Sequence, residues 1–248
     1  MNILITGWEG TVGSHLLRYL EDEGHNVTCF KGDIREPHAW KTYETRIWHA
    51  LIHLAAIPGV RRSFEEPELY YDHNVNGTGL AFQFADSFAE KTLYASSSNA
   101  YEWWGNPYAA TKKMNEIQAM GRKAIGMRFH TVWPGRPDML FKKLANNEVT
   151  YINMNHHRDW IHISDLCKAI LMLLQNFDTV LENNPVVDIG TGNAYSVAEV
   201  AKQMGFVGEY RLDNPKGERV HTKANINPLL DIGWKPERII TNEAGNFK

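Results

Sequence analysis

An α/β fold built on a doubly wound parallel sheet is predicted by three features of the sequence. Short apolar runs alternate with stretches of helical periodicity through the first half of the chain. A glycine-rich turn follows the first apolar run, beginning at residue 6. Residues 50–56 are almost continuously apolar, as suits a strand covered on both faces. Strands alternating with helices of this length make βαβ units, and such units make a parallel sheet.

Taken in order, Asn2–Thr6 reads as a short strand and residues 12–23 as a helix that Gly24 can stop from the C′ position. Residues 26–30 read as a second strand, 37–46 as a short helix and 50–56 as a third strand. A helix over 72–88, a strand over 92–96, a helix over 108–120 and a strand over Ala124–Phe129 follow. After about Pro134 the segments shorten and polar loops appear at 146–148, 153–158 and 214–217. Helices near 164–175 and 196–204 are expected there, with the strand Val186–Ile189 between them.

The bulk numbers narrow the function. A chain of 248 residues, 43% hydrophobic, suits one domain or a domain with a smaller lobe. A net charge of −3 with interspersed signs gives no footprint for nucleic acid. No apolar run reaches the roughly 20 residues that span a bilayer. No basic segment or cleavage site precedes the first strand, so no secretory leader is expected. Cys29 and Cys167 fall in separate elements and read as small buried hydrophobes of a reduced, cytoplasmic protein. The 11 histidines show no zinc-type spacing, the pair His156-His157 included, so no metal is expected.

The glycine turn carries the strongest chemistry. Gly7, Gly10 and Gly13 stand at the first, fourth and seventh positions between strand and helix, with Thr11 and Val12 opening the helix. Gly7 permits the tight turn, Gly10 lets backbone approach a pyrophosphate, and Gly13 lets helix pack on strand. The helix N-terminus then offers free N–H groups to phosphate. The signature is specific in this strand–turn–helix setting. It predicts a Rossmann-type doubly wound parallel sheet with a smaller C-terminal α/β substrate lobe. The expected division is 1–134 for the dinucleotide-binding domain, with the later strand and helix near 160–192 contributing to it, and 135–248 mostly for the lobe.

In many dinucleotide folds an acid ends the second strand and accepts from the ribose hydroxyls. Here Lys31 stands there, followed by Gly32-Asp33-Ile34-Arg35. Lysine cannot accept a hydrogen bond. It reads either as a partner for a 2′-phosphate or as a solvated surface lysine. Asp33 remains a candidate for adenine or ribose.

Tyr108 and Lys112 stand four apart at the start of a helix and share one face. A tyrosine near its reference pKa of ~10 is a poor base at neutral pH, and a neighbouring ammonium favours the phenolate. The pair follows Ser96-Ser97-Ser98 at a strand end, where a hydroxyl can bond a reacting sugar oxygen.

These residues resemble the extended short-chain dehydrogenase/reductase family, of the NAD-dependent epimerase/dehydratase type, over nearly the whole chain. Within it the sequence is similar to UDP-glucuronate and UDP-galactose 4-epimerases. The stretches that carry the likeness are TGWEGTVGSH, HLAAIPGVRRSFEEP, YYDHNVNGTG, YASSSNAY, YAATKK, RFHTV, GRPDM, RDWIHISDL and VVDIGTG. The resemblance implies that Ser97 bonds the sugar 4-hydroxyl, that Tyr108 is the base and that Lys112 is its partner. It places Leu54, Ala55 and Ala56 beside the cofactor, NAD or NADP, with Asp33 and Ile34 at its adenine. Asn74 supports the strand ends. Ser98, Thr131, Arg136, Arg158 and Arg219 fall on the nucleotide-sugar side, Arg136 near a uronate carboxylate and Arg158 at the diphosphate. A homodimer through the helices at 72–88 and 108–120 is implied in the same way.

The chain also departs from the family. It is much shorter, with a helix and a strand missing between Phe30 and Asp33. Only ten residues separate Ser97 from Tyr108. Ala100-Tyr101-Glu102 replaces the family's V-Y-G, and His130 replaces an aromatic. His130 reads either as facing the sugar or as packing, and Trp103 and Trp104 either as packing residues or as a pocket lid. The implied reaction is 4-epimerisation by transient oxidation at C4. One alternative is an NADPH-dependent reductase of a nucleotide-linked 4-keto sugar. Another is a cofactor-binding protein without turnover. Dehydratases of the family carry Asp-Glu just after the active serine or threonine; Ser98-Asn99 cannot supply that acid.

Overall fold

Side chains of the first strand alternate between two cores, as the two-residue period of a strand requires. In the computed structural model, which describes residues 1–246, Ile3 and Ile5 of β1 (Asn2–Thr6) join one apolar cluster and Leu4 joins another. The chain runs on through α1 (Thr11–Asp22), β2 (Asn26–Cys29), α2 (Pro37–Lys41) and β3 (Ala50–His53). Helices α3 (Val60–Glu65) and α4 (Pro67–Tyr71) lead into a π-helical turn at Asp72–Asn76 and then α5 (Gly77–Phe88). Next come β4 (Thr92–Ser97), a 3₁₀ segment at Ser98–Gly105, α6 (Pro107–Gln118) and β5 (Ala124–Phe129).

The second half is more broken. It comprises β6 (Thr131–Trp133), α7 (Leu140–Ala145), β7 (Tyr151–Asn153), β8 (His157–His162), α8 (Ile163–Gln175), α9 (Phe177–Asn183) and β9 (Val186–Ile189). It ends with β10 (Ala194–Ser196), α10 (Val197–Gln203), β11 (Glu209–Arg211), α11 (Asn227–Asp231), α12 (Ile240–Glu243) and a 3₁₀ turn at Ala244–Asn246.

Six strands form one parallel sheet in the order β2-β1-β3-β4-β5-β9. Leu16 and Leu20 of α1 and Leu166, Ile170 and Leu174 of α8 cover one face. Trp40 of α2 and Ala81, Phe84 and Ala85 of α5 cover the other. This is the doubly wound Rossmann-type arrangement the alternation predicts. The missing strand and helix are visible as an edge: β2 ends the sheet, and only Phe30, Lys31 and Gly32 separate it from Asp33.

The predicted third strand stops at His53, because residues 54–59 leave the sheet as a loop. The predicted helix at 72–88 begins with the π-helical turn, and α2 ends at Lys41 rather than at Arg46. The other half has its own core, in which Trp133, Phe141, Ile152, Trp160, Val200 and Met204 pack together. Two small sheets surround it, β10-β8-β6 and β11-β7. Among the described residues no helix is long and apolar enough to cross a membrane.

Candidate active site

The strand ends of β1, β3, β4 and β5 open on one side of the sheet, where ligands of such folds bind. The glycine turn lies there. Gly7 has φ +69°, and a Cβ on it would stand 2.5 Å from the backbone nitrogen of Ala55. A Cβ on Gly13 would stand 2.1 Å from the Gly7 carbonyl oxygen, so α1 can start so close to the turn only with glycine there. Gly10 is exposed and forms the N-cap of α1. No side chain caps this helix and no acid stands in its first turn. The amides of Thr11, Val12 and Gly13 therefore remain suited to an anion. This cradle fits the pyrophosphate of a dinucleotide.

Polar side chains fix the neighbouring loop. Thr6 Oγ1 lies 2.8 Å from His53 Nδ1, and His53 Nε2 lies 3.0 Å from Thr78 Oγ1. Burial, helped by the charge of Lys112, pushes the His53 pKa down to about 3. The Ala55 amide donates to Thr6 Oγ1 at 3.2 Å. The buried Asn74 amide clasps the loop: its Oδ1 accepts from Ile57 N at 2.8 Å, while its Nδ2 donates to Ile57 O at 3.0 Å and to Thr111 Oγ1 at 3.1 Å. The π-helical turn aims this asparagine inward, a common use of such turns. Leu54, Ala55 and Ala56 are left half-buried at the rim.

Ser97 at the end of β4 and Tyr108 in the first turn of α6 meet, and Lys112, one turn further along α6, reaches back to β4. Ser97 ends β4 and accepts from the Asn99 amide at 3.2 Å. Asn106 caps α6, its Oδ1 accepting from Ala109 N at 2.7 Å, and this sets Tyr108 in the first turn. Burial raises the Tyr108 pKa; a hydrogen bond with the Ser97 side chain and the charge of Arg136 oppose that rise. Tyr70, whose hydroxyl donates to Pro58 O at 2.8 Å, stands edge-on to the Tyr108 ring at 6.3 Å. Buried Lys112 donates to the Ala95 carbonyl at 2.9 Å, and burial lowers its pKa to about 8. The charge that acts on the phenol is thus that of Arg136, while the Lys112 ammonium is turned to β4.

The arginines differ in their engagement. Arg136 forks onto Asp138, Nε to Oδ1 at 2.8 Å and Nη2 to Oδ2 at 2.9 Å. Arg158 donates to the carbonyls of His157 at 2.9 Å and Val220 at 3.1 Å. Arg219 donates to Ser98 O and to Glu102, binding the segment around residue 219 to the 3₁₀ segment. Thr131 starts β6 half-buried, directly after the break at His130. Asp33 is held by Arg35 at 2.5 Å, which lowers its pKa to about 2, and Arg35 also reaches Asp72 at 2.6 Å. Ile34 is buried, and Lys31 is exposed.

Several supporting residues gave no local signal in the sequence. Glu116 of α6 accepts from Ser96 Oγ and from Arg128 of β5. The Arg128 guanidinium lies 4.2 Å from the Tyr101 ring centre, and the Tyr101 hydroxyl donates to Asp188 of β9 at 3.0 Å. His130 packs inward, its Nε2 3.7 Å from Asp188 Oδ2 with the side chain fully buried. Asp159 is wholly buried and accepts from the amides of Thr191, Gly192 and Ala224. Trp103 and Trp104 do not pack into a core; they are 48% and 71% exposed. The described residues contain no group of three metal-ligating side chains, and Cys29 and Cys167 are free.

The sequence of this chain matches the model of the NAD dependent epimerase/dehydratase family over residues 3–190. The chain belongs to that family. Among curated relatives of this epimerase/dehydratase, a UDP-glucuronate 4-epimerase of Thermodesulfobacterium geofontis is 35% identical, with 87% of this chain and 76% of the relative covered. An uncharacterised protein of Methanocaldococcus jannaschii is 33% identical, with 98% and 93% covered. That alignment extends over 315 positions against the chain's 248 residues, so the relative carries insertions that this epimerase/dehydratase family member lacks. A solved structure of MoeE5 with UDP-glucose and NAD superposes with a TM-score of 0.83 at 25% identity, covering 98% of this chain and 96% of that one.

Proposed function

We propose that the protein is a nucleotide-sugar 4-epimerase that acts by transient oxidation at C4. The observation that carries this reading is the meeting of the Tyr108 hydroxyl with Ser97 under the charge of Arg136, beside the glycine cradle. The UDP-glucuronate epimerase relative and the UDP-sugar bound by MoeE5 support the substrate class.

Gly7, Gly10, Thr11, Val12 and Gly13 would hold the pyrophosphate of the nicotinamide cofactor, and Lys112 its nicotinamide ribose. When bound, that cofactor supplies a reversible hydride acceptor for the sugar carbon. Tyr108 takes the proton of the 4-hydroxyl and returns it after the keto sugar has turned. Ser97 bonds the same oxygen and keeps it in reach of the phenol. Arg136 exchanges its fork on Asp138 for the carboxylate of a uronate, a geometry guanidinium suits. Arg158 and Arg219 serve the diphosphate side. The protein works as a homodimer on the family resemblance, and in the cytoplasm on the reading of Cys29 and Cys167 as reduced.

The test is product analysis with UDP-glucuronate and no added reductant. Conversion to UDP-galacturonate supports the reading. A product formed only with stoichiometric consumption of added NADPH overturns it and establishes the second reading, a 4-keto-sugar reductase. The compressed link after β2, with Lys31 in place of an acid, is the observation that favours that second reading.

A further inference from the structure

A serine hydroxyl has one proton to give and two lone pairs to fill. What Ser97 offers a reacting group therefore depends on which of these the protein has already engaged. One residue engages both lone pairs. Asn99 donates to Ser97 Oγ through its backbone amide at 3.2 Å and through its side-chain Nδ2 at 3.3 Å. The backbone bond caps the 3₁₀ segment Ser98–Gly105 and comes with the turn itself. The side-chain bond does not; it needs a donor at position 99.

Asn99 is held firmly enough to play this part. Its neighbours Ser98 and Ala100 are buried, and Arg219 donates to the Ser98 carbonyl at 2.8 Å. Ser97 itself is buried at the end of β4. With its lone pairs engaged, the Ser97 hydroxyl has only its proton left, and the Tyr108 oxygen is the side-chain group that receives it. Such a donor favours the phenolate over the phenol. Arg136 also favours the phenolate and Tyr70 opposes it, but neither belongs to the segment Ser98–Gly105.

We propose that Asn99 is a positioning residue that fixes the direction of the Ser97 proton and so commits Ser97 to donate rather than accept. In the reaction proposed above, on which this role in turnover rests, the proton of the 4-hydroxyl passes to the Tyr108 oxygen. Ser97 keeps its own proton throughout and donates to the sugar oxygen. An acid at position 99 would draw that proton to itself and leave Ser97 presenting a lone pair to the phenolate.

The experiment reads the ionisation of Tyr108 in the full-length protein by fluorine NMR, with fluorotyrosine in place of the 10 tyrosines. Ring fluorine makes the phenols more acidic and brings the titration to lower pH. The Tyr108 resonance is the one lost in Tyr108→Phe. Asn99→Asp keeps the size of the side chain and the backbone cap but exchanges the donor for an acceptor. It is made in the wild-type protein and again in a Ser97→Ala protein, where it reports the effect of the added charge alone. The Tyr108 midpoint is expected to rise about one pH unit more in the presence of Ser97 than in its absence, the worth of one hydrogen bond. Equal rises in the two proteins, or no rise in either, overturn the role of Asn99. The midpoint is read without substrate, so failure of the proposed reaction in its own test is a separate result.

Discussion

Arg128 holds Glu116 in a two-point fork, Nε to Oε1 at 2.7 Å and Nη2 to Oε2 at 2.8 Å. The fork joins β5 to α6, the helix that carries Tyr108 and Lys112. The same carboxylate accepts from Ser96, the neighbour of Ser97, at 2.8 Å. One buried anion therefore sets the distance between the strand that presents Ser97 and the helix that presents Tyr108.

Removing that anion leaves the guanidinium inside without its partner. Glu116→Ala is expected to cost about 3–5 kcal/mol of folding stability, measured by urea unfolding at pH 7. Burial by itself would raise the Glu116 carboxyl, but the bonds from Arg128 and Ser96 outweigh it and hold the group below its usual 4.5. A carboxyl lowered by folding stabilises fully above its unfolded value and loses that stabilisation as the pH falls below it. Wild-type stability should thus fall below about pH 4.5 more steeply than that of Glu116→Gln. A Glu116→Ala protein within about 1 kcal/mol of wild type, inside the range of an ordinary surface pair, sinks this account.

Tyr108→Phe removes one oxygen from the place where Ser97 and Arg136 converge. Under the proposed reaction, turnover should drop by about 10²–10⁴, the usual worth of a positioned proton-transfer group. Cofactor binding should persist, because the glycine cradle is untouched. Steady-state rates and a cofactor titration on the same preparation check both halves. Turnover that survives intact removes Tyr108 from the chemistry.

How much of this was readable beforehand depended on sequence distance. The glycine turn and the Tyr108–Lys112 pair are local patterns, each held on one turn or one helix, and the structure brings both to the same strand ends. The Glu116–Arg128 fork was not readable, since its partners sit on separate elements and either residue alone looks like a surface charge. Asp159 was hidden for the same reason: the amides it accepts from lie at 191, 192 and 224. The missing outer strand was readable because the three residues between the end of β2 at Cys29 and Asp33 leave no room for it. The exposure of Trp103 and Trp104 was not, because their composition suits a core as well as a surface.

Arg136 should discriminate between sugars. Its fork on Asp138 is half-exposed, so a uronate carboxylate can replace that partner at little cost. Arg136→Met is expected to raise KM for UDP-glucuronate by about tenfold or more, the worth of one lost charge-assisted bond. KM for UDP-glucose, which has no carboxylate, should change much less. The comparison of the two KM ratios is the measurement. Equal changes for both sugars would place Arg136 in general support of the pocket rather than in reading the uronate.

Under the proposed reaction, Lys112 should set the alkaline side of the pH profile. Burial lowers its pKa from 10.5 to about 8. Below that value the ammonium is charged and bonds the Ala95 carbonyl; above it the charge is lost, and with it the cation proposed for the nicotinamide ribose. The dependence of kcat/KM on pH reports groups of the free enzyme. A falling limb is therefore expected near pH 8 in the wild-type protein. Lys112→Arg keeps a positive charge throughout, because guanidinium does not titrate in this range. It should lower the plateau, since the larger head disturbs the bond to Ala95, yet move the falling limb to higher pH. A limb that stays near pH 8 in the Lys112→Arg protein assigns it to another group and removes Lys112 from the titration.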